Sequence, residues 1–152
     1  LPFEDSLAAA ARAATDPATS GTPAVERLRA NVRESLALIS RDERARRVFE
    51  IATHKVEYVD DMQAVRERHL AARESCVMLN TALLAQAAHE AGRALPLPPE
   101  EAALGLFALL DGLLQNWMLA PAGFALEALG LRTLDLYLIG LGLRQAPATP
   151  GA

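Results

Sequence analysis

The feature that most constrains this chain is a pair of segments near its C-terminal end in which leucine recurs on every side of a predicted helix. The segments run from about Pro99 to Leu119 and from about Phe124 to Arg144, and the stretch Ala120-Pro121-Ala122-Gly123 breaks the helix between them. Their apolar residues are Leu104, Leu106, Phe107, Leu109, Leu110, Leu113, Leu114, Trp117 and Met118, then Leu126, Leu129, Leu131, Leu134, Leu136, Leu138, Ile139, Leu141 and Leu143. A helix that is apolar all round must be covered all round. One small chain cannot bury both segments completely.

A second copy of the chain is one way to cover them. The two helices would pack on their own core with one face and on their counterparts with the other, which gives a four-helix interface with two-fold symmetry. Glycine costs about 1 kcal/mol inside a helix, and close approach of backbones would compensate for it. The glycines are Gly105, Gly112, Gly130, Gly140 and Gly142. The expected interface residues are Leu106, Leu110, Leu113, Trp117, Leu131, Leu134, Leu138 and Leu141.

A membrane hairpin is the alternative, since the window from Ala102 to Ala120 is long enough to span a bilayer. Polar side chains interrupt both segments, however, at Asp111, Gln115, Asn116, Glu127, Arg132 and Asp135. A charge in mid-span costs about 2.5–3.5 kcal/mol, whereas each leucine contributes only about 0.3–0.6 kcal/mol. The flanks also lack a basic cluster. We therefore expect a homodimer and no membrane partner.

The composition predicts an all-α fold. Half of the 152 residues are apolar but only 5% are aromatic, so the core must consist mainly of leucine, alanine, valine and isoleucine. β-Branched residues are few, which favours helix over strand. Six helices are predicted. Before the two C-terminal segments they cover about Phe3 to Ala14, Pro23 to Ile39, Asp42 to His54 and Asp60 or Asp61 to Gly92. Ser40 and Asp42 are the candidate caps of the third helix, and Gly92 is the expected C-terminal stop of the fourth.

The chain is expected to have one main domain with short appendages. Residues 1–14 would be the end of a helix that leads from a preceding domain, residues 15–23 a loop, residues 24–144 the domain and residues 145–152 a flexible tail. The start at Leu1, without a methionine or a basic segment, predicts a piece of a longer protein without a secretory signal. A single cysteine fits a reducing cytoplasm. The net charge of −4 gives no electrostatic case for nucleic-acid binding.

Two motifs resemble the C-terminal domain of AcrR-like multidrug-efflux repressors of the TetR family. The segment from Asp42 to Tyr58 is similar to the family pattern D-x-R-x-R-R-x-x-E-I-x-x-H-K-x-E-[FY]. The segment from Phe107 to Trp117 is similar to the pattern F-A-x-x-D-G-L-x-x-x-W. The resemblance extends from about Val25 to Arg144 and is fairly specific because both motifs occur together.

The resemblance implies a six-helix TetR-type ligand-binding domain that dimerises through a four-helix bundle of its last two helices. The expected partner is a small hydrophobic or cationic effector, and no cofactor is implied. Operator DNA would be bound only through an N-terminal helix-turn-helix domain outside this chain. The implied role is repression of an efflux operon in the cytoplasm until a drug-like effector binds.

The positions that match pocket-lining sites of such regulators are Asn31, Ser35, Phe49, Thr53, Cys76, Asn80, Phe107, Asp111 and Gln115. The polar ones also interrupt apolar helix faces, and a mainly apolar cavity with a few polar groups suits a drug-like ligand. Phe49, Phe107 and Cys76 could equally be core residues. The carboxylate of Asp111, costly to bury alone, could bind a cationic effector or could pair with an arginine or a helix N-terminus.

The sequence matches known enzyme motifs only incompletely. His89-Glu90 lacks a second histidine at metalloprotease spacing. Glu50 and His54 are four residues apart, whereas a di-iron site needs three. We therefore predict no catalytic residue and no metal ligand. A helical interaction or membrane-associated module without a pocket remains the alternative to a ligand-sensing domain.

Overall fold

The computed structural model describes the backbone of residues 21–54 and 63–148, together with residues 9, 12, 13, 15 and 16, but leaves out the side chains of 48, 49, 52–54 and 65. Within these ranges the regular structure is helical: α1 (Ala24–Arg41), α2 (Glu43–His54), α3 (Gln63–Glu90), α4 (Pro99–Leu119) and α5 (Leu126–Gly140). The all-α prediction is confirmed. The predicted first helix lies largely outside the described residues, as do residues 55–62 at the predicted break and 149–152 in the predicted tail.

Four of the helices enclose one core. Helix α1 packs against α3 and α5, and α4 packs against the same two helices, so the four close a ring. The core residues are Leu28, Val32, Leu36, Ile39, Leu79, Leu83, Leu84, Ala102, Ala103, Leu106, Leu114, Trp117, Leu126, Leu134, Leu138 and Leu141. The core is therefore built mainly from leucine and alanine, as the composition predicted.

Helix α2 lies on α1 and α3. It buries Ala45, and its Arg46 guanidinium lies 5.5 Å from the centre of the Trp117 ring in α4. Asp42 begins the helix, because its Oδ1 accepts hydrogen bonds from the backbone N–H groups of Arg44 (2.8 Å) and Ala45 (3.3 Å). The predicted cap is thus confirmed.

Two glycines end helices in the left-handed conformation. Gly92 has φ of 61°, and the next N–H, of Arg93, donates to the carbonyl of Ala88 at 3.0 Å, which confirms the predicted stop. Gly142 has φ of 75°, and the N–H of Leu143 donates to Leu138 in the same way at 2.9 Å. The expectation that α5 runs to Arg144 was therefore wrong, and Gly142 serves helix termination rather than backbone approach.

The tight approach of helices within one chain explains two other glycines. A Cβ at Gly130 would overlap the side chain of Leu36, and a Cβ at Gly105 would lie 2.7 Å from the Tyr137 hydroxyl. That hydroxyl donates a hydrogen bond to the carbonyl of Ala102 at 2.9 Å. These glycines let α5 approach α1 and α4 of the same chain, so their cost needs no second copy to offset it.

Most residues of the expected dimer interface are buried inside one chain, and the interface itself stays a prediction. The buried residues are Leu106, Trp117, Leu134, Leu138 and Leu141. Such side chains leave almost no surface for a partner. Leu113 is partly buried against the same core, while Leu131 is half-buried. The large apolar residues that stay exposed on α4 and α5 are Leu104, Leu109, Leu119 and Leu136.

A bidentate ion pair joins the first and last helices of the ring. Nε and Nη2 of Arg29 donate to the two carboxylate oxygens of Asp135 at 2.7 and 3.1 Å, and Arg144 adds a contact of 2.9 Å. The hydrogen bond to Asp135 raises the pKa of Arg29. The charge of Asp135 in the leucine-rich helix is thus accounted for within the chain.

Among the described helices, α4 has the length and composition to cross a membrane, a property that core helices share.

Candidate functional site

A cavity of about 120 Å³ lies between α1, α3 and α4. Its walls are mainly apolar, with a few polar and charged side chains. The lining residues are Asn31, Val32, Ser35, Leu36 and Ile39 of α1, His69, Ala72, Arg73, Cys76 and Asn80 of α3, and Phe107, Leu110, Asp111 and Leu114 of α4. An apolar cavity of about 150 Å³ is enough to bind benzene in another protein. The space is therefore suited to a small apolar molecule.

Helical periodicity explains why these residues meet. In each helix the lining positions recur at steps of three or four, so they share one face. The small side chains of Ala72 and Cys76 occupy the middle of the α3 face, opposite the larger residues of α1 and α4. A leucine at either position would fill space that the chain leaves open.

Six of the nine predicted ligand-binding residues line this cavity: Asn31, Ser35, Cys76, Asn80, Phe107 and Asp111. Gln115 does not line the cavity, but its Nε2 donates a hydrogen bond to Oδ2 of the lining residue Asp111 at 2.5 Å. The side chains of Phe49 and Thr53 lie outside the described part of the structure. The residues are thus brought together, while their binding of a ligand stays a prediction.

The cavity wall carries two buried amides. Asn31 is 7% exposed and Asn80 is 5% exposed. Within the described part of the chain, the Asn80 Oδ1 atom is buried and has no hydrogen-bond partner. The Ser35 hydroxyl, by contrast, donates to the backbone carbonyl of Asn31 at 2.9 Å. Asn80 therefore brings a desolvated, unpaired acceptor atom into the packing beside the cavity.

The cavity wall carries one basic side chain, Arg73, and one acidic side chain, Asp111. The Arg73 guanidinium lies 5.4 Å from the centre of the Phe107 ring, within the range of a cation–π contact. The Asp111 carboxylate is held by the neutral amide of Gln115, and in the described ranges no arginine or lysine pairs with it. The arginine partner that would make Asp111 purely structural is thus not observed there, which leaves the carboxylate able to meet a cationic group.

The thiol of Cys76 is poorly suited to chemistry. Burial raises the pKa of Cys76, so the thiol stays protonated at neutral pH. The part of the chain that the structure describes also holds no group of three or more histidine, cysteine, aspartate or glutamate side chains that could bind a metal ion.

Sequence reasoning missed several lining residues. Arg73 was not singled out, although its spacing of four from His69 and three from Cys76 puts it on the same helix face. Leu110 was expected at the dimer interface, and the structure also places it in the cavity wall. The spacing of Arg73 from His69 and Cys76 was therefore a sequence signal that it lines the same helix face. No such signal distinguished Leu110 from its leucine neighbours.

Comparison with known proteins identifies the relatives of this chain. Residues 24–141 match the family model for the C-terminal region of MAATS-type transcriptional repressors. The HTH-type transcriptional regulator TtgR of Pseudomonas putida is 39% identical over 80 residues, which is 53% of this chain and 38% of that protein. The HTH-type transcriptional repressor BepR of Brucella suis biovar 1 is 32% identical over 114 residues, covering 75% of this chain and 53% of that protein.

The chain spans about half the length, or less, of these curated relatives. The relatives are transcriptional regulators and not enzymes. The family match covers most of the chain, including α1 and the whole of α3, α4 and α5 that surround the cavity and core. The chain therefore belongs to the TetR family of transcriptional repressors, and residues 24–141 form the C-terminal region of such a protein.

Proposed function

We propose that this chain is the effector-sensing and dimerisation domain of a TetR-type repressor and that its effector binds between α1, α3 and α4. The observation that carries the proposal is the cavity itself. The cavity is partly open to the surface, and it combines apolar walls with a few convergent polar groups, as small-molecule sites do. The alternative, an interaction module without a pocket, does not account for such a space.

A second copy of the chain is the proposed cover for the exposed apolar face of α4 and α5. Leu119 and Leu136 are 81% and 71% exposed, and Leu104 and Leu109 of α4 are 44% and 41% exposed. Association through these leucines would remove them from water in a two-fold interface. This interface keeps the two helices of the original prediction but uses their outer residues.

In the whole protein, operator DNA would be bound by an N-terminal helix-turn-helix domain of each subunit, and the effector would weaken that binding. The proposed mechanism is negative allostery. An effector in the cavity would push on α3 and, through it, on α2, which packs against α3. This movement would shift the N-terminal helix and take the two DNA-binding domains out of register. The regulated genes would encode a multidrug efflux system, and the repressor would act in the cytoplasm.

The test of the effector site is a matched pair of variants on α3. Ala72 lines the cavity, while Ala82 lies exposed on the same helix. Ala72→Leu should fill the cavity and weaken effector binding roughly tenfold or more, since overpacking by a few carbons costs about 1–3 kcal/mol. Ala82→Leu should leave binding unchanged.

The measurement is a thermal-shift screen of antibiotics, dyes and phenolics in detergent-free buffer, followed by calorimetry of the compounds that raise the melting temperature. Binding that is equally strong in wild type and Ala72→Leu would contradict the proposed site. A wild-type chain that no compound stabilises would contradict effector sensing by this domain.

A further inference from the structure

We propose that the side-chain amide of Asn80 selects effectors that present a hydrogen-bond acceptor, such as a carbonyl oxygen, on an apolar body. The donor would be the Nδ2 group of Asn80, in the wall that α3 contributes to the cavity. The inference rests on the proposed function and deepens it, because it assigns the class of ligand that the same cavity would take.

The Nδ2 group is the polar part of this amide that adjoins open space. Asn80 is 5% exposed and lines the cavity, and its Oδ1 atom is enclosed in the packing. Within the described residues, Nδ2 is not enclosed in this way and retains accessible surface. Because the rest of the residue is buried, that surface lies at the cavity, where it can meet a ligand.

The same Nδ2 group is free to donate a hydrogen bond. In the part of the chain that the structure describes, the Asn80 side chain makes no hydrogen bond to another group. Two acceptors elsewhere in the wall already have donors: the Asn31 carbonyl accepts from Ser35, and Asp111 Oδ2 accepts from Gln115. An amide donor that is almost fully buried has lost most of its contact with water. An acceptor on the ligand would supply the missing partner.

The rest of the cavity indicates the body of the ligand. Ala72 and Cys76 leave room in the middle of the α3 face. Arg73, whose guanidinium carries donors but no acceptor, is seven residues before Asn80, which is about 10 Å along a helix. On the α4 side the Phe107 ring offers an aromatic surface. The inferred ligand class is therefore a flat, largely apolar molecule with at least one acceptor.

The experiment compares acetophenone with α-methylstyrene, which match in shape but differ in that the carbonyl oxygen of the first is a CH₂ group in the second. Calorimetry on the 152-residue chain gives the dissociation constants of both probes. Asn80→Leu should weaken acetophenone binding relative to α-methylstyrene binding about fivefold, the change expected for the loss of one neutral hydrogen bond. The different hydrophobicity of the probes cancels, because the ratio of the two constants is compared between variant and wild type.

Two further variants sharpen the test. The Thr81 hydroxyl donates to the carbonyl of Val77 at 2.8 Å, and Thr81 does not line the cavity, so Thr81→Val should leave the ratio unchanged. Asn80→Ala removes the donor without adding a branched side chain. It should therefore shift the ratio in the same direction as Asn80→Leu, even where Asn80→Leu fails to fold.

Four results would overturn the assignment. A ratio that equals the wild-type ratio in both Asn80 variants, or one that shifts as much in Thr81→Val, would remove Asn80 from recognition and leave the cavity as an effector site. A shift of Asn80→Leu in favour of acetophenone would show that the amide presents its oxygen to the ligand. Failure of wild type to bind either probe would count against both the assignment and the effector site.

Discussion

The carboxylate of Asp111 lies in the wall of the cavity, next to leucines, with the neutral amide of Gln115 as its observed partner. A neutral partner orients a carboxylate without cancelling its charge. The residue can therefore still attract a cationic group, although Arg73 on the opposite wall has the same sign as such a ligand.

Replacement of Asp111 by asparagine should weaken the binding of a small aromatic cation such as benzylammonium by about 1.5–3 kcal/mol, since the ligand loses a hydrogen bond to a charged acceptor. The neutral analogue benzyl alcohol should be affected much less, and the dimer should persist. Calorimetry with the two compounds makes the comparison. An unchanged dissociation constant for benzylammonium would assign Asp111 a structural role.

Single residues also show how much of the site was visible in the sequence. Asn31, Ser35, Asn80 and Asp111 interrupt otherwise apolar helix faces, and the structure gathers all four at one cavity. The contact of Arg73 with Phe107 was not predictable, because an arginine on an amphipathic helix normally faces water and only the packing of α3 on α4 brings the pair together.

At the scale of the element, the helix ends were predictable and the buried faces of α4 and α5 were not. Asp42 and Gly92 act through their own backbone neighbours, so a few residues of sequence suffice to identify them. Leu104 and Leu106 are two residues apart, yet one is 44% exposed and the other fully buried. Where leucine occurs on every side, periodicity carries no information about which face meets the core.

The left-handed glycine after α3 provides a test of the helix-end assignment. Gly92→Ala should lower the free energy of unfolding by about 1–2 kcal/mol, because a Cβ is strained at positive φ although the space around Gly92 is open. Gly92→Asn should cost less, since asparagine tolerates this conformation. Urea unfolding at one protein concentration, followed by the fluorescence of the single Trp117, measures both. Equal losses in the two variants would contradict backbone strain as the cause.

At the scale of the whole molecule, the exposed leucines of α4 and α5 predict that the chain is a dimer in plain buffer. Leu136→Glu should dissociate it, because the interface would have to bury a charge without a partner. Met78→Glu is the matched control: Met78 is 67% exposed on α3, outside the proposed interface. Light scattering gives the masses. A monomeric wild type, or a dimeric Leu136→Glu, would contradict this interface.

We propose that occupation of the cavity between α1, α3 and α4 releases the full-length repressor from DNA. The direct measurement is the operator affinity of the full-length dimer with and without the compound that binds this domain most tightly, in wild type and in Ala72→Leu. We expect the compound to weaken operator binding of wild type roughly 5- to 150-fold, corresponding to a coupling of about 1–3 kcal/mol, and to leave Ala72→Leu nearly unaffected. Operator affinity that is the same with and without saturating compound in wild type would contradict the claim.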